Sequence, residues 1–431
     1  MKKLGILVIV LIGFAFGAIA DERGNLLYPE VVKKVYLENG GRLVWCANSN
    51  EAVQLRFQLL TQLDSATKYK FISQSFHRDF IVAHQLSIDT DSVLLWSTEY
   101  LFADAAIALI KETWAGYKQS PWVGYDAVSA KYKEMEFDFL VSKLRVVRSA
   151  ESIKKVLNEV ESGNAEYIQL KKNYLNKFEM SVDSADKLLH AMNLVKWVHH
   201  FGLSKLILIN VAAAKLYYFE NGKLQLQMKT VVGKPKTPSP LFAAWCSQAI
   251  LYPYWYVPSS ILFGELLSKI KKNPSWLDAN NMQVVDGTGR VLNHHALNWS
   301  SFHAGYFPYT LRQSTGCDNS LGVIKFNIET PYGVYLHDTN NKNAFLSESR
   351  FYSHGCIRLE DPIELAQKLL TEGIDTAYLN SCFKDQTPHI KIFKESVAVF
   401  AVYLPVYPIN DNAVKFYKDI YRLSAKAHNT K

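Results

Sequence analysis

The sequence predicts an α+β protein in which a mostly helical domain precedes a mainly β domain. Residues 21–195 place apolar side chains at helical spacing and contain no internal repeat. From about residue 202 the pattern changes to short β-branched and aromatic runs bounded by turn residues. A long polar and aromatic insertion interrupts this second region. We therefore predict a helical domain at 21–195, a β domain at 196–425 and a tail at 426–431.

Four segments of the first region have the apolar periodicity of helices. In the first, Val53, Phe57 and Leu60 share one helical face, although the apolar residues near them also alternate as in a strand. The predicted helices cover 52–63, 98–113, 152–161 and 185–197.

The second region begins with a clear hairpin signal. Residues 205–210 form an apolar β-branched run, and the runs 215–219 and 223–228 are separated by a turn that contains Asn221 and Gly222. Both turn residues tolerate positive φ, which a tight hairpin requires. Further strands are predicted at 322–326 and 333–337, and a last hairpin is predicted from 395–403 and 414–417 around 410–412.

One helix is predicted inside the β domain. Asp361 is a suitable N-cap, Pro362 suits the first helical position, and Glu364 follows in the first turn. Gly373 is the expected stop.

Bulk composition indicates a folded and mildly basic protein. Of the 431 residues, 48% are hydrophobic and 20% are charged, and the net charge is +8. This composition excludes a largely disordered chain. The basic residues are scattered, so we expect no nucleic-acid partner, whereas anionic wall polymers or membrane surfaces suit the charge.

The first twenty residues have the parts of a secretory signal peptide. Lys2 and Lys3 supply positive charge, 4–17 is an apolar run, and Ala18 and Ala20 form a small-x-small cleavage site. We expect residues 1–20 to be removed after export. An uncleaved membrane anchor is the alternative, although the run is shorter than the ~20 residues that a span needs.

Five cysteines are spread widely along the chain, which excludes a disulfide scaffold. An odd number in an exported protein leaves at least one thiol without an intrachain partner. The sequence leaves the pairing of Cys46, Cys246, Cys317 and Cys382 open, and Cys317 could pair with Cys246 or stay reduced.

One segment combines the parts of a cysteine nucleophile site. His337 ends an apolar strand, and Ser353, His354, Gly355 and Cys356 follow after a polar loop. A thiol attacks as the thiolate, so a nearby cation or base must lower its pKa, and an imidazole can take the proton and return it to an amine. We therefore predict that Cys356 is the nucleophile and His337 its base.

Two other interpretations of this segment are open. His337, His354 and Cys356 could bind a metal, but zinc needs about four ligands and a fourth is not evident. The cysteine could also be a packing residue. We expect no metal and no cofactor. Arg358, two residues beyond the cysteine, would project to the same side of an extended segment and could bind a substrate carboxylate.

Residues 253–312 form an insertion rich in Trp, Tyr, Asn, Ser and His. A segment this long inside a compact domain is usually functional, so we expect a lid. His294 and His295 lie in it, either as exposed polar residues or as substrate contacts. Trp255 belongs either to the core or to a binding platform.

The order of these motifs resembles that of the YkuD-type L,D-transpeptidases. The family signature is a His, fifteen residues and then Ser-His-Gly-Cys, which here runs from His337 to Cys356. Further blocks resemble the large periplasmic branch of that family, the YcbB-like enzymes; they lie at 232–235, 257–261, 319–322, 325–327 and 335–338. In 21–195 the resemblance is a helical character like that of the family's scaffold region.

The resemblance implies a role for each motif residue. Cys356 would be acylated, His337 would be the general base, and the N–H groups of Gly355 and Cys356 would form the oxyanion hole. The segment 258–312 would be the substrate-capping lid. The other expected motif and substrate-binding residues are Ser353, His354, Tyr335, Arg358 and Asn319.

The resemblance also implies a function. We expect a periplasmic peptidoglycan L,D-transpeptidase that forms 3→3 cross-links between stem peptides through a thioester on Cys356. Carbapenem-type inhibitors would acylate the same thiol, and wall-synthesis proteins are candidate partners. An L,D-carboxypeptidase, a protein-anchoring transpeptidase and a non-catalytic wall-binding protein remain alternatives. Arg358 departs from the Asn of the most familiar motif, and no peptidoglycan-binding module fits before Gly202.

Overall fold

The chain folds into two compact units with different secondary structure, which confirms the α+β class. The computed structural model describes residues 26–72, 76–85, 91–116, 122–176, 180–410 and 413–423. Of these residues, those from 26 to 122, 129–202 and 404–417 belong to the helical unit, and 123–128, 203–403 and 418–423 belong to the β unit. The expected signal peptide and the tail at 426–431 lie outside the described residues.

Within the described residues, eight helices build the helical unit, and all four predicted helices are among them. Ser49 caps the second helix by accepting a hydrogen bond from the Ala52 N–H (3.2 Å), which favours helix over the alternative strand there. The helices are α1 (Pro29–Glu38), α2 (Asn50–Lys68), α3 (Arg78–His84), α4 (Ser92–Ala115), α5 (Ala127–Arg145), α6 (Ala150–Val160), α7 (Ala165–Leu175) and α8 (Val182–His199).

Helix α4 forms the centre of the helical unit. Among the described helices, only α4 has the length and hydropathy that a membrane span needs, and 78% of its apolar stretch is buried inside the protein. Two buried acids on α4 hold other segments. Glu99 accepts hydrogen bonds from the N–H groups of Val44 and Cys46 (both 2.7 Å), and Asp104 accepts one from Tyr28 N–H (2.7 Å). Hydrogen bonds of this kind offset the cost of burying a carboxylate.

The β unit contains a large sheet and a smaller one. Its strands are β1 (Val123–Asp126), β2 (Lys205–Asn210), β3 (Lys215–Glu220), β4 (Lys223–Gly233), β5 (Leu241–Leu251), β6 (Trp255–Tyr256), β7 (Met282–Val285), β8 (Val291–Leu292), β9 (Thr310–Gln313), β10 (Ile324–Ile328), β11 (Tyr335–His337), β12 (Phe351–Ser353), β13 (Ile357–Leu359) and β14 (His389–Val402). Its helices are α9 (Ser259–Ile261), α10 (Leu267–Lys272), α11 (Trp276–Ala279), α12 (Pro362–Leu369) and α13 (Thr376–Asn380).

The large sheet closes on itself. Its strands follow the order β1-β5-β10-β11-β13-β4-β3-β2-β14, β12 pairs with β4, and β14 also pairs with β5. The inner strands therefore form a continuous ring, and the predicted site segments β11 and β13 are direct neighbours in it, paired in parallel.

Local signals predicted several of these elements correctly. The hairpin β3–β4 turns at Asn221 and Gly222, which both have positive φ (50° and 72°). Helix α12 begins as predicted, because the Asp361 side chain accepts the N–H of Glu364 at 3.1 Å. The helix ends at Leu369, before the expected stop at Gly373, because Leu370 already has extended backbone angles.

The predicted last hairpin was wrong in its pairing. Residues 395–403 lie mainly within β14, which pairs with β2 and β5 rather than with 414–417. The hairpin instead joins β15 (Val406–Asn410) to β16 (Ala413–Phe416), and it belongs to the helical unit. Alternation alone could not separate these runs, because a strand partner is not encoded in the period. Positions 411–412 of the expected turn lie outside the described residues.

Two of the cysteines form a disulfide bond. Cys317 and Cys382 form a disulfide with their Cα atoms 5.1 Å apart. The possible pairing of Cys317 with Cys246 is therefore wrong, since Cys246 is a free thiol buried in β5. Cys46 and Cys356 also lie outside any disulfide, and of the three cysteines that are not disulfide-bonded only Cys356 is partly exposed.

The insertion is a folded subdomain rather than a long loop. It has its own four-stranded sheet in the order β6-β9-β7-β8. A π-helical turn (Leu262–Leu266) joins α9 to α10, and short 3₁₀ helices lie at His294–Ala296 and Trp299–Ser301. Its apolar core includes Leu262, Ile270, Leu277, Val284 and Trp299, and Trp255 packs against this core. We keep the word lid for residues 255–313.

Candidate active site

The sheet register aligns three of the polar residues at the site. His337 on β11 lies opposite Lys325 on β10 and opposite Arg358 on β13. Side chains at directly paired positions project from the same face of a sheet, so these three form a row. Cys356 lies one residue before β13 begins. The nucleophile and base predicted from sequence therefore lie on neighbouring segments of one sheet.

A short hydrogen-bonded turn holds the cysteine. The Ser353 hydroxyl accepts the N–H of Gly355 (3.1 Å) and donates to the carbonyl of Cys356 (2.6 Å). Gly355 has a φ of +124°, a backbone angle that residues other than glycine rarely adopt. Because its N–H is bonded within the turn, Gly355 does not offer it to an oxyanion in this conformation, contrary to the expectation for the oxyanion hole.

Two further hydroxyl groups support the backbone of this turn through hydrogen bonds. Ser239 Oγ donates to the carbonyl of Gly355 (2.7 Å) and accepts the N–H of Gly233 (3.0 Å). The Tyr421 hydroxyl donates to the carbonyl of Gly233 (2.6 Å) and accepts the N–H of Ser239 (3.2 Å). A Cβ on Gly233 would lie 2.3 Å from the Thr237 carbonyl, so only glycine fits. Sequence reasoning did not assign these roles, because the contacts join segments more than a hundred residues apart.

Burial has the largest effect on the pKa of Cys356, the predicted nucleophile. Desolvation raises the pKa of the Cys356 thiol above its ordinary value, and the hydrogen bond from Tyr335 and the charges of Lys325 and Arg358 oppose this only in part. The expectation of a lowered thiol pKa is therefore wrong for the resting site. The physical reason is that the cations act on a sulfur that has lost most of its water.

Burial also has the largest effect on the pKa of His337, the predicted base. His337 is enclosed, and desolvation, followed by the charges of Arg358 and Lys325, lowers the pKa of its imidazole to about 3. Its Nδ1 lies against the carbonyl oxygen of Asp338, which can only accept a hydrogen bond, so Nδ1 carries the proton. Nε2 is then unprotonated, which is the form that a general base requires.

The loop after His337 is fixed by its neighbour. The Asp338 carboxylate accepts the N–H of Val323 (3.0 Å) and pairs with Lys342 Nζ (2.5 Å). A Cβ on Gly322 would lie 2.2 Å from that carboxylate, and Gly322 has a φ of +58°. These contacts hold the carbonyl that orients the imidazole.

Tyr335 and Lys325 are two further neighbours of the Cys356 thiol. Burial, and then the neighbouring Cys356, raise the pKa of the Tyr335 hydroxyl, and the Tyr335 ring centroid lies 5.5 Å from that of His337. Lys325 Nζ lies 4.0 Å from the centre of the Tyr335 ring. Sequence reasoning placed Lys325 in a family block but gave it no role; the available signal was a lysine alternating with apolar residues on a buried strand.

Two further predicted substrate-binding residues, Arg358 and Asn319, differ in burial and in hydrogen bonding. Arg358 is half-buried, and among the described residues its shielded Nε atom has no hydrogen-bond partner. Asn319 is completely buried; its amide donates to the carbonyls of Ser314 (2.8 Å) and Pro253 (3.2 Å) and its oxygen accepts the N–H of Leu321 (2.7 Å). Asn319 is therefore a structural residue and not a substrate contact, contrary to the prediction.

The His354 side chain contacts the lid. Its Nε2 donates to Glu265 Oε1 at 2.7 Å and lies 3.4 Å from Lys234 Nζ. Glu265 is on the π-helical turn of the lid. The motif histidine therefore contacts the lid, and a place beside the oxyanion hole stays a prediction.

Sequence comparison agrees with this arrangement. Residues 204–381 match the family described as the L,D-transpeptidase catalytic domain, YkuD. The chain carries a YkuD-type L,D-transpeptidase domain. Residues 30–173 match the family described as the scaffold domain. An L,D-transpeptidase domain combined with a scaffold domain is consistent with the YcbB-like branch, and the resemblance stated from the motifs is confirmed.

Individual relatives of this L,D-transpeptidase domain share low sequence identity with it. A curated Haemophilus influenzae protein named "Putative L,D-transpeptidase" is 31% identical over 216 residues, which is 50% of this chain and 44% of the relative. The chain therefore spans less than half the length of that relative. A solved L,D-transpeptidase from Mycobacterium smegmatis is 17% identical over 46% of this chain and 58% of that one, with a TM-score of 0.23. L,D-transpeptidase 3 from Mycobacterium tuberculosis is 11% identical over 46% and 61%, with a TM-score of 0.22.

Proposed function

We propose that this protein is a periplasmic peptidoglycan L,D-transpeptidase that forms 3→3 cross-links through a thioester on Cys356. The observation that carries the proposal is the row of Lys325, His337 and Arg358 beside a free, partly exposed thiol. A neutral imidazole with an unprotonated Nε2 supplies a base, and two cations supply charge that favours a developing thiolate.

The first half-reaction forms the acyl-enzyme. The Cys356 sulfur attacks the carbonyl carbon of the third, diamino-acid residue of a tetrapeptide stem, and its proton passes to Nε2 of His337. The S–C bond forms, and the amide bond to the terminal D-alanine breaks. His337 returns the proton to the leaving amine, so the imidazole is neutral again when the thioester is complete.

The second half-reaction transfers the acyl group. The side-chain amine of the diamino acid in a neighbouring stem attacks the thioester, and His337 takes a proton from it. The new N–C bond forms as the S–C bond breaks, and the proton passes to the departing sulfur. The products are a 3→3 cross-link and the regenerated thiol.

Arg358 is suited to hold the anionic end of the donor. Its guanidinium is half-buried, and its shielded Nε has no hydrogen-bond partner among the described residues. An unpartnered buried donor is costly, and a carboxylate would satisfy it with a charge-assisted bond. In this proposal the terminal D-alanine carboxylate binds there before it leaves.

The same thiol also accounts for the proposed inhibitors. A carbapenem presents a strained amide carbonyl that a cysteine can open without a leaving group, so it would remain attached as a thioester. Export to the periplasm, where these stems are found, follows from the signal-peptide pattern of residues 1–20. Wall-synthesis proteins remain candidate partners.

Product analysis tests the choice of acceptor. Purified protein is incubated with tetrapeptide-bearing muropeptides, and the products are identified by mass spectrometry. We expect tetrapeptide–tripeptide dimers joined through two diamino-acid residues. Tripeptide monomers alone would show that water is the acceptor, so that the enzyme is an L,D-carboxypeptidase. An unchanged substrate with a folded protein would contradict catalysis altogether.

A further inference from the structure

The lid contains a group of polar side chains that the proposed reaction does not use. Asp278 on α11 faces His294 and His295 on the following 3₁₀ helix. The His294 Nε2 lies 3.2 Å from one carboxylate oxygen of Asp278, and the His295 Nε2 lies 2.9 Å from the other. The ligand atoms of the three residues all lie within 4.8 Å of one another.

We infer that Asp278, His294 and His295 form a binding site for a divalent transition-metal ion such as Zn²⁺. Two imidazoles and one carboxylate are a ligand set that zinc and its neighbours prefer, and water can complete the coordination. A tetrahedral zinc with bonds of about 2.0–2.2 Å holds its ligands roughly 3.3 Å apart, so side-chain shifts of about 1 Å would complete the site.

The state of His294 is a second and independent observation. Its Nε2 is shielded from solvent, and among the described residues no hydrogen-bond partner is aligned with it, although an Asp278 oxygen is only 3.2 Å away. A shielded ring nitrogen without a hydrogen bond is unfavourable. Coordination through its lone pair would remove this cost.

The backbone on both sides of the group is held in place. The Trp299 indole donates to the carbonyl of His294 at 2.8 Å, and Trp299 is itself buried in the lid core. The side chain of Asn293 accepts the N–H of His295 at 3.1 Å. Leu277, next to Asp278, is fully buried in the same core. Only the ligand side chains must therefore move to accept an ion.

Such an ion would connect two parts of the lid. Asp278 and His294 are sixteen residues apart in sequence and belong to different short helices. A bound metal would cross-link α11 to the 3₁₀ helix and stabilise the folded lid, because the unfolded segment presents no preformed site. This property is separate from the acylation of Cys356.

Zinc titration of the full-length protein tests the site. Calorimetry with ZnSO₄ is carried out in a Cys356→Ala background, which removes the accessible thiol as a competing ligand. We expect one equivalent of Zn²⁺ to bind, and we expect Asp278→Asn and His295→Gln to weaken it about tenfold or more. His303→Gln is the matched control, because His303 is an exposed lid histidine outside the group. Mg²⁺ should not compete, since it prefers an all-oxygen shell.

Two further readouts decide the outcome. X-ray absorption of the zinc complex should show two imidazole ligands together with oxygen. Zinc should also raise the thermal midpoint of the His303→Gln protein and not that of His295→Gln. The proposal fails if no zinc binds, or if the Asp278→Asn and His295→Gln variants bind it as tightly as the parent. In those cases the three residues form only an ion-pair cluster, or the metal binds elsewhere.

Discussion

At the residue scale, burial shifts the pKa values of Cys356 and His337 in opposite directions and leaves both neutral. The thiol pKa is raised and the imidazole pKa is lowered to about 3, so at neutral pH neither group is charged. In the proposed reaction the proton would move during the attack rather than before it. Lys325 and Arg358 would stabilise the negative charge as it develops on sulfur.

The first prediction concerns pH. A base with a pKa of about 3 stays unprotonated down to acidic pH, so D-alanine release should not decline as pH falls from 7.5 to 5 through titration of His337. Single-turnover rates are measured against pH in a His354→Gln background, so that the other motif histidine does not contribute to the pH–rate profile. An acid limb with a midpoint near 6.5, the ordinary histidine value, would contradict the neutral resting pair.

The second prediction concerns Lys325. Its charge lowers the pKa of Cys356, so Lys325→Met should raise that pKa and slow alkylation of Cys356 by iodoacetamide, by roughly three- to tenfold at neutral pH. Peptide mapping by mass spectrometry gives the rate at each cysteine. Lys223→Met, at an exposed position on β4, is the control and should leave the rate unchanged. Equal rates in the two variants would exclude an electrostatic role for Lys325.

Residue roles could be predicted from sequence only where local chemistry determines them. The spacing from His337 to Cys356 indicated a nucleophile and a base, and both lie on adjoining segments of the sheet. The burial of Asn319 and the support of Gly355 by Ser239 depend on segments distant in the chain. No local pattern carries that information.

At the element scale, a hydrogen bond connects the lid to the motif histidine. Glu265 on the π-helical turn accepts from His354 at 2.7 Å, and both side chains are partly exposed. Solvent screening makes such a pair weak, so it can open without unfolding the lid core. The pair therefore suits a lid that, in the proposed function, would open to admit a stem peptide.

The third prediction tests this connection. Glu265→Gln should increase hydrogen exchange of the amides in 262–272 by a few-fold, which is the size expected for an exposed pair. High salt should have the same effect on the parent protein and little effect on the variant. Glu372→Gln, at an exposed position after α12, is the control. Unchanged exchange in Glu265→Gln would show that the lid is held by its packing alone.

Helices and strands could be predicted where their start, stop or turn residues gave a clear sequence signal. The hairpin β3–β4 and helix α12 follow from Asn221-Gly222 and from Asp361-Pro362. The internal sheet of the lid was missed, because its strands are only two to four residues long and have no resolvable period. The pairing of β14 was missed because partner choice depends on the closed sheet.

At the scale of the whole molecule, the two units are not consecutive in the chain. Among the described residues, the β unit contains 123–128, 203–403 and 418–423, and the hairpin β15–β16 between the last two segments belongs to the helical unit. Val406 on this hairpin is completely buried, whereas Ile409 on the same strand is 57% exposed. The hairpin is therefore part of the helical core although it follows the catalytic domain in sequence.

The fourth prediction follows from this assignment. Val406→Ala should destabilise the helical unit by about 1–3 kcal/mol, because a buried side chain is truncated. Hydrogen exchange should increase in α7 and α8 and remain unchanged in β10 and β11. Ile409→Ala, which removes a mostly exposed side chain, is the control. Increased exchange confined to the β unit would assign the hairpin to the other core.

The central claim is that the sulfur of Cys356 carries the acyl group, and intact-mass analysis of acid-quenched reactions with a tetrapeptide donor tests it most directly. We predict a mass increase equal to the donor minus D-alanine, located on Cys356 by peptide mapping and absent from a folded Cys356→Ala protein. An adduct on another residue, or cross-linked product formed by the Cys356→Ala protein, would contradict the account.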